Sequence, residues 1–423
     1  MIMDWLILLL LVPAIIVPIV LLCGFAGCAP LAQACEGDGD CPAGTRCVDG
    51  ACVEGVLAGR RPSAPVDLGA NAVSDSEIDL SWTNNELAVI NFQVQRAEED
   101  EDFAPISEPT GQTFQDTGLE EGTTYLYQVR AFDGEEFSEP SNQTTATTFP
   151  KAPSNLIATP VEVDRIDLSW TNDSARATLF SLEHRLITSP PTSFAEIVPG
   201  PGTGTSFPHT GLAEGSDHEY RVIAIIPIGF QNGVQQPVRS APSATVSART
   251  WARAFEAVLT TDQAGLEGFC LIQRISIAQL GIFPTLLNNI GTTVRITLRG
   301  STTGNLTINR IYISQVAASG DPWDSAADIT KVVDIDQGDP AVVLPANTPQ
   351  VLGPINYALD RTQDLLIAFD ISATAAQGNV ISVQPGAEHY FKLGTQESSV
   401  PDRASDFSTG LNRHYLVQKI EVL

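Results

Sequence analysis

Residues 78–84 read Ile-Asp-Leu-Ser-Trp-Thr-Asn, and residues 166–172 read the same seven again, 88 positions later. A repeat at that spacing marks two copies of one domain-sized unit. Ile78, Leu80 and Trp82 alternate with Asp79, Ser81 and Thr83. One face is apolar and the other polar, which predicts a half-buried strand with Trp82 turned into the core. Trp170 takes the same place in the second copy.

The chain has 423 residues, room for about three domains. Apolar residues make up 43% of it, ample for packed cores, while Gly and Pro are plentiful and Met nearly absent. Many short strands joined by turns use residues this way, so the expectation is an all-β chain. The net charge of −27 is unevenly spread: −16 falls on residues 62–149 and only −2 on residues 150–250. So acidic a chain repels a phosphate backbone, which argues against nucleic-acid binding. The run Glu98, Glu99, Asp100, Glu101, Asp102 lacks the Gly-punctuated spacing of a calcium loop and reads as a solvated turn.

Trp5 to Leu22 carries no charge, so residues 1–28 read as an export or membrane-anchor segment. Asp4 precedes it where basic residues are usual, and Pro13 and Pro18 interrupt it. The following Phe25-Ala26-Gly27-Cys28 resembles the lipobox of bacterial lipoproteins, although Phe25 stands where Leu is usual. That resemblance implies lipidation of Cys28. Residues 29–61 hold Cys35, Cys41, Cys47 and Cys52 within 18 residues. Zinc sites show close Cys pairs at both ends, and this spacing does not. Behind an export signal it reads as two disulfides, with three connectivities open. The run is similar to small cysteine-rich modules found just after the anchor in exported bacterial proteins. Cys270, in an apolar stretch, reads as a buried inert thiol.

Residues 62–149 and 150–250 each open on a proline-rich stretch, Pro62-Ser63-Ala64-Pro65 and Pro150-Lys151-Ala152-Pro153. Such linkers are semi-extended and space neighbouring domains. In the first unit Tyr125, Tyr127, Val129 and Ala131 alternate with polar or exposed positions, as a sandwich strand requires. Together with Trp82 and Trp170 and the turn Leu119-x-x-Gly122-Thr123-x-Tyr125, these features resemble fibronectin type III domains in both copies. The resemblance implies that Tyr125 forms a corner, its hydroxyl bonding nearby backbone. The second copy reads Leu212-x-x-Gly215-x-x-His218, so histidine stands in the tyrosine's place, with Tyr220 two residues on. His218 reads as a substituted corner residue with a structural role, at a residue type that also titrates near neutral pH. The resemblance further implies adhesion surfaces, receptor modules or spacers, and fold alone does not give function.

Residues 251–423 differ from the repeats. Strands are predicted at 293–298, 306–316, 365–371 and 414–422, punctuated by Gly320-Asp321-Pro322 and Gly338-Asp339-Pro340. Asp364-Leu365-Leu366-Ile367-Ala368-Phe369 reads as a fully buried strand. The expectation is a larger sandwich of the jelly-roll type. It faintly resembles domains of bacterial surface proteins and phage tail-associated proteins. Trp323 lies in a predicted loop between Asp321 and Asp324. A tryptophan face flanked by carboxylates suits sugar stacking, so Asp321, Trp323 and Asp324 are the candidate ligand contacts; the alternative is that Trp323 plugs the sandwich end.

The five histidines form no H-E-x-x-H pair, and neither a G-x-S-x-G elbow nor a phosphate loop occurs. The expectation is a non-enzymatic exported protein without cofactor or metal, anchored at a membrane. Its two spacers would project a C-terminal domain that binds a glycan or a surface protein. The alternatives are a virion or filament subunit assembling through that domain, and an accessory module of a secreted carbohydrate-active system.

Overall fold

The structure, a computed structural model, describes residues 45–48, 51–54, 61–86, 89–197, 202–276, 291–359, 363–374, 380–383, 388–394, 396–410 and 413–423. The export segment, Cys28, Cys35 and Cys41 lie outside them. Among the described residues no helix is long and apolar enough to cross a membrane. The first described element is a hairpin of β1 (Thr45–Val48) and β2 (Ala51–Glu54), in which Cys47 and Cys52 are register partners.

The first repeat comprises β3 (Val66–Ala72), β4 (Glu77–Thr83), β5 (Asn91–Glu98), β6 (Ala104–Ser107), β7 (Thr113–Thr117), β8 (Thr124–Phe132) and β9 (Thr144–Thr147). They form two facing sheets, β3-β4-β7 and β6-β5-β8-β9. The quoted heptapeptide is β4, where Ile78, Leu80 and Trp82 are buried and meet Tyr127, Val129 and Ala131 of β8 in one core. Alternation therefore placed the core face correctly.

The second repeat comprises β10 (Ser154–Glu162), β11 (Arg165–Thr171), β12 (Leu179–Leu186), β13 (Ala195–Glu196), β14 (Ser206–Thr210), β15 (Asp217–Gln231), β16 (Val234–Arg239) and β17 (Val246–Arg249). Its sheets, β10-β11-β14 and β13-β12-β15-β17, repeat the first plan, with β16 added on β15. Trp82 packs edge-on against Phe92 at 5.4 Å, and Trp170 against Phe180 at 5.6 Å, both at 67°. The exits match too. Thr148 Oγ1 donates to the Glu120 carbonyl at 2.6 Å, and Thr250 Oγ1 to the Ala213 carbonyl at 2.7 Å.

One element departs from the shared plan. β15 and β16 run on into a long hairpin turned by Asn232 and Gly233, both at positive φ, which suits the primed hairpin turns. Its tip bridges the edges of the two first-repeat sheets. On the β3 side, the Asn232 amide donates to the Ala70 carbonyl at 2.8 Å, and the Ala72 amide donates to Gln231 Oε1 at 2.9 Å. On the β9 side, Phe230 N–H donates to Thr147 Oγ1 and Gly233 N–H to the Thr145 carbonyl, both at 2.8 Å. Gly229 lets the hairpin approach, since a Cβ there would lie 3.1 Å from Thr147 Oγ1 and 2.6 Å from Val238 Cγ2. Glu121 adds a second tie, accepting from Ser174 Oγ at 2.7 Å and from the Ala175 amide at 2.8 Å. The proline-rich stretch at 150–153 is thus bridged on either side, where its composition alone predicts a semi-extended spacer.

The C-terminal unit comprises β18 (Ala252–Glu256), β19 (Thr261–Gln263), β20 (Phe269–Ile275), β21 (Gly291–Arg299), β22 (Leu306–Gln315), β23 (Thr330–Asp334), β24 (Val342–Leu344), β25 (Pro349–Leu359), β26 (Leu365–Ile371), β27 (Val380–Val383), β28 (His389–Leu393), β29 (Ser408–Gly410), β30 (His414–Tyr415) and β31 (Val417–Val422). One sheet runs β18-β31-β21-β25; the facing sheet contains β20-β26-β22, with β23 and β24 both on β22 and β28-β29 beyond β20. Counting the eight main strands in chain order, the first lies beside the last in one sheet and the second beside the seventh in the other. That is jelly-roll order. The final strand is paired on both sides, by β18 and β21.

The second repeat is joined to the jelly roll through Trp251 and Arg295. The Arg295 guanidinium stacks on the Trp251 ring at 4.4 Å, donates to the Val161 carbonyl at 2.5 Å and pairs with buried Glu421. Trp251 Nε1 donates to the Pro160 carbonyl at 3.2 Å.

Candidate functional site

β26 is buried along its whole length. Leu365, Ile367, Phe369 and Ile371 face the sandwich core, while Leu366 and Ala368 point the other way with Cys270 and Ile272 of β20. A strand apolar on both faces needs a second cover. Trp323 supplies it, stacked among Tyr390 at 5.2 Å and Phe407 at 5.7 Å and only 7% exposed. Its indole N–H donates to the Ala404 carbonyl at 3.2 Å. Asp324 is buried as well, accepting from the amides of Arg403 at 2.9 Å and Asp321 at 2.8 Å. The Arg403 guanidinium ties the covering loop down by donating to the carbonyls of Trp323, Glu397 and Ser398. The sugar-stacking expectation is therefore corrected for Trp323 and Asp324, which are buried, while Asp321 beside them is half-buried. The ring face is spent on the sheet, and the Asp324 carboxylate ties its own loop, through the Asp321 amide, to the segment of Arg403. Cys270 is free and buried, and burial pushes its thiol up.

Two concavities stand out among the described residues. In the jelly roll, a cleft of about 360 Å³ opens between the edges of the two sheets, lined by Val332, Val333, Pro340, Val342, Gln350 and Leu352. Val343 and Val351 beside it are about half exposed, at 47% and 52%. Asp339 on its rim pairs with Lys331 at 3.0 Å, which with the Asp334 amide holds its carboxyl below the usual range. The second concavity, about 410 Å³, lies in the second repeat and is lined by His184, Glu196, Ile197, Phe207, His209 and Thr210.

This second cleft sits over a partly buried polar group whose counterpart in the first repeat is chemically different. In the first repeat Arg96 of β5 donates to both Asp116 oxygens at 3.0 Å, and Tyr127 Oη donates to Asp116 Oδ2 at 2.8 Å. Tyr125 forms the corner: its hydroxyl accepts the Glu120 amide at 3.0 Å, and Arg96 lies over its ring at 5.2 Å. Register gives the equivalents. Arg96 pairs with Tyr127 as His184 pairs with Tyr220, and Asp116 pairs with Ile78 as His209 pairs with Ile166. An arginine, an aspartate and a tyrosine are thus replaced by His184, His209 and His218, with only the inner tyrosine retained.

The histidines bond one another. His184 Nε2 and His218 Nδ1 are 2.8 Å apart, and His209 Nδ1 lies 3.0 Å from Tyr220 Oη. His218 Nε2 meets Ser216 Oγ at 2.6 Å, and Ser216 Oγ donates to the Ala213 carbonyl, so the corner is rebuilt through a serine relay. Burial pushes all three rings below the ordinary histidine value, and the neighbouring rings add to this at His209 and His218, both down to about 4. His184 and His209 went unread in the sequence because no local motif links them. Aligning the repeats on the corner turn places His209 opposite Asp116. Among the described residues no group of three or more His, Cys, Asp or Glu is arranged to hold a metal ion.

Comparison with known proteins places the repeats. The sequence model of the Fibronectin type III domain matches residues 63–147. Residues 63–147 are a fibronectin type III domain. The second repeat, with the same sheets, tryptophan and exit contacts, is another. Exoglucanase B of Cellulomonas fimi is 29% identical over 200 residues, 45% of this chain and 17% of that protein. Chitinase 63 of Streptomyces plicatus is 33% identical over 111 residues, 25% of this chain and 17% of its own length. The chain thus spans about a sixth of these relatives. A two-domain fibronectin type III segment of chicken tenascin aligns over 44% of this chain and 99% of its own, at 17% identity and a TM-score of 0.30.

Proposed function

We propose that this is an exported, non-enzymatic presenting protein of an extracellular carbohydrate-active system. Its fibronectin type III pair holds the jelly roll at a set attitude for binding a glycan or a surface protein. The observation that carries the reading is the pair of engaged junctions, the β15–β16 hairpin on the first domain and Arg295 on Trp251. A flexible tether needs neither. Support for the setting comes from the stretches shared with an exoglucanase and a chitinase. The test is co-sedimentation of the full chain with insoluble cellulose and chitin, alongside an assay for released sugar. Binding without sugar release supports the reading. Sugar release by the purified chain, or failure to bind either polymer or any glycan on an array, refutes it.

A second reading, assembly of copies through the jelly roll, is favoured by the open sheet edges at β24 and β25 with half-exposed Val343 and Val351. Sedimentation velocity separates the two: a monomer at micromolar concentration removes the assembly reading. For anchoring, Cys28→Ala is expected to move the protein from the membrane fraction to the soluble one. An unchanged membrane fraction leaves the uncharged segment 5–22 as the anchor.

A further inference from the structure

We propose that the second fibronectin type III domain is an acid-sensitive joint, in which protonation of the His184–His209–His218 group loosens β15 and with it the hairpin that grips the first domain. The geometry dictates the direction of every hydrogen in the relay. Ser216 Oγ gives its hydrogen to Ala213, so it accepts from His218 Nε2–H. A neutral His218 then has a bare Nδ1, which accepts from His184 Nε2–H. A proton arriving at His218 must occupy that Nδ1. Unless His184 shifts its own hydrogen to Nδ1, this sets two N–H groups against each other at 2.8 Å and breaks the side-chain link between β12 and β15. A proton on His184 or His209 adds positive charge within a cluster whose ring centroids lie 4.8–5.0 Å apart.

Among the described residues no carboxylate is bonded to these rings to receive that charge. Glu196 of β13 lines the same cleft but accepts from Ser181 Oγ at 2.6 Å. Glu183 and Arg185, flanking His184 on β12, pair with Arg221 and Glu219. Asp217 pairs with Arg249 of β17, and Arg165 with Asp167 on β11. Tyr220 is held neutral by burial, which pushes its hydroxyl up. Burial of the rings favours their neutral forms. The folded domain therefore keeps full stability above about pH 6.5 and loses it as pH falls towards about 4, because the unfolded chain takes up protons first. The first domain contains no histidine. β15 carries the effect outward, since one 15-residue strand bears His218 near its start and Phe230 and Gln231 at its end.

Amide hydrogen exchange of the full chain, corrected for intrinsic rates, tests this between pH 7.5 and 4.5. Residues 179–249 are expected to open about ten- to a hundred-fold more at the acid end, while residues 77–132 change little. The β3 and β9 amides under the hairpin should follow the second domain. Parallel loss in both domains overturns the proposal, as does earlier loss in the first. His414 of the jelly roll is also buried and held down to about 4, so the comparison is confined to the two repeats. The triple variant His184→Arg, His209→Asp, His218→Tyr transplants the first domain's group and should abolish the difference. Should it fail to fold, ring titration of the native chain by NMR decides: rings that protonate near pH 6.5 without loss of protection overturn the proposal. A zinc-dependent gain in protection at neutral pH also overturns it, by assigning the rings to a metal.

Discussion

The two fibronectin type III domains agree wherever backbone must be held and disagree where side chains merely satisfy one another. Both keep the strand tryptophan on a phenylalanine, the leucine and glycine of the corner turn, and the threonine that ties the exit strand back to that turn. Beneath the corner, one uses a charged pair with two tyrosines and the other three histidines with one. A buried polar cluster is tolerated in either chemistry because each member finds partners. The sandwich specifies that the space be polar and bonded, and leaves its charge open.

The shared part sets the largest expected effect. Trp82→Ala and Trp170→Ala should each lower the opening free energy of their own domain by about 3–5 kcal/mol. The two costs should agree within about 1 kcal/mol, given the matched packing; a wider gap in domain-resolved hydrogen exchange would break the equivalence. The divergent part should respond unequally. Asp116→Ala strands Arg96 and Tyr127 together and should cost about 3 kcal/mol. At the equivalent site, His209→Ala loses one neutral bond to Tyr220 and should cost about 1 kcal/mol. Equal costs would mean that the charged group contributes no more than the neutral one. The smallest effect belongs to the junction. Asn232→Ala removes a 3.3 Å side-chain bond to the Ala70 amide but keeps the backbone bond beside it, for about 0.5 kcal/mol. Calorimetry should then show the two domains melting further apart, and an unchanged profile would show that the backbone contacts alone couple them.

Much of this fold was legible in the residues. Period-two alternation located β4 and β8, and the repeat at 88 positions separated the domains. The strand predicted at 365–371 is β26, residue for residue. The candidate site was not legible, for reasons that can be named. Trp323 sits between carboxylates in the sequence and looks solvent-facing, yet a strand already read as apolar on both faces must be covered by something. The covering partners, Tyr390, Arg403 and Phe407, lie more than sixty residues away. The histidine group escaped similarly, being distributed over β12, β14 and β15 with its meaning carried by cross-strand register. The long hairpin left no signal beyond Asn232-Gly233, a turn that marks any hairpin and says nothing of where its tip docks.

That hairpin also bears on how the protein is made. During synthesis the first domain is complete at residue 149, but the strand edges at Ala70 and Thr147 wait for residues 230–233, more than eighty codons later. At about 5–20 residues per second this interval lasts roughly 4–16 seconds, ample time for the first sandwich to fold on its own. It emerges with two open edges that only the later hairpin closes. Whenever the first sandwich folds ahead of the second, those edges stay open until the hairpin arrives, and the domain's dense negative charge disfavours their pairing with a second copy.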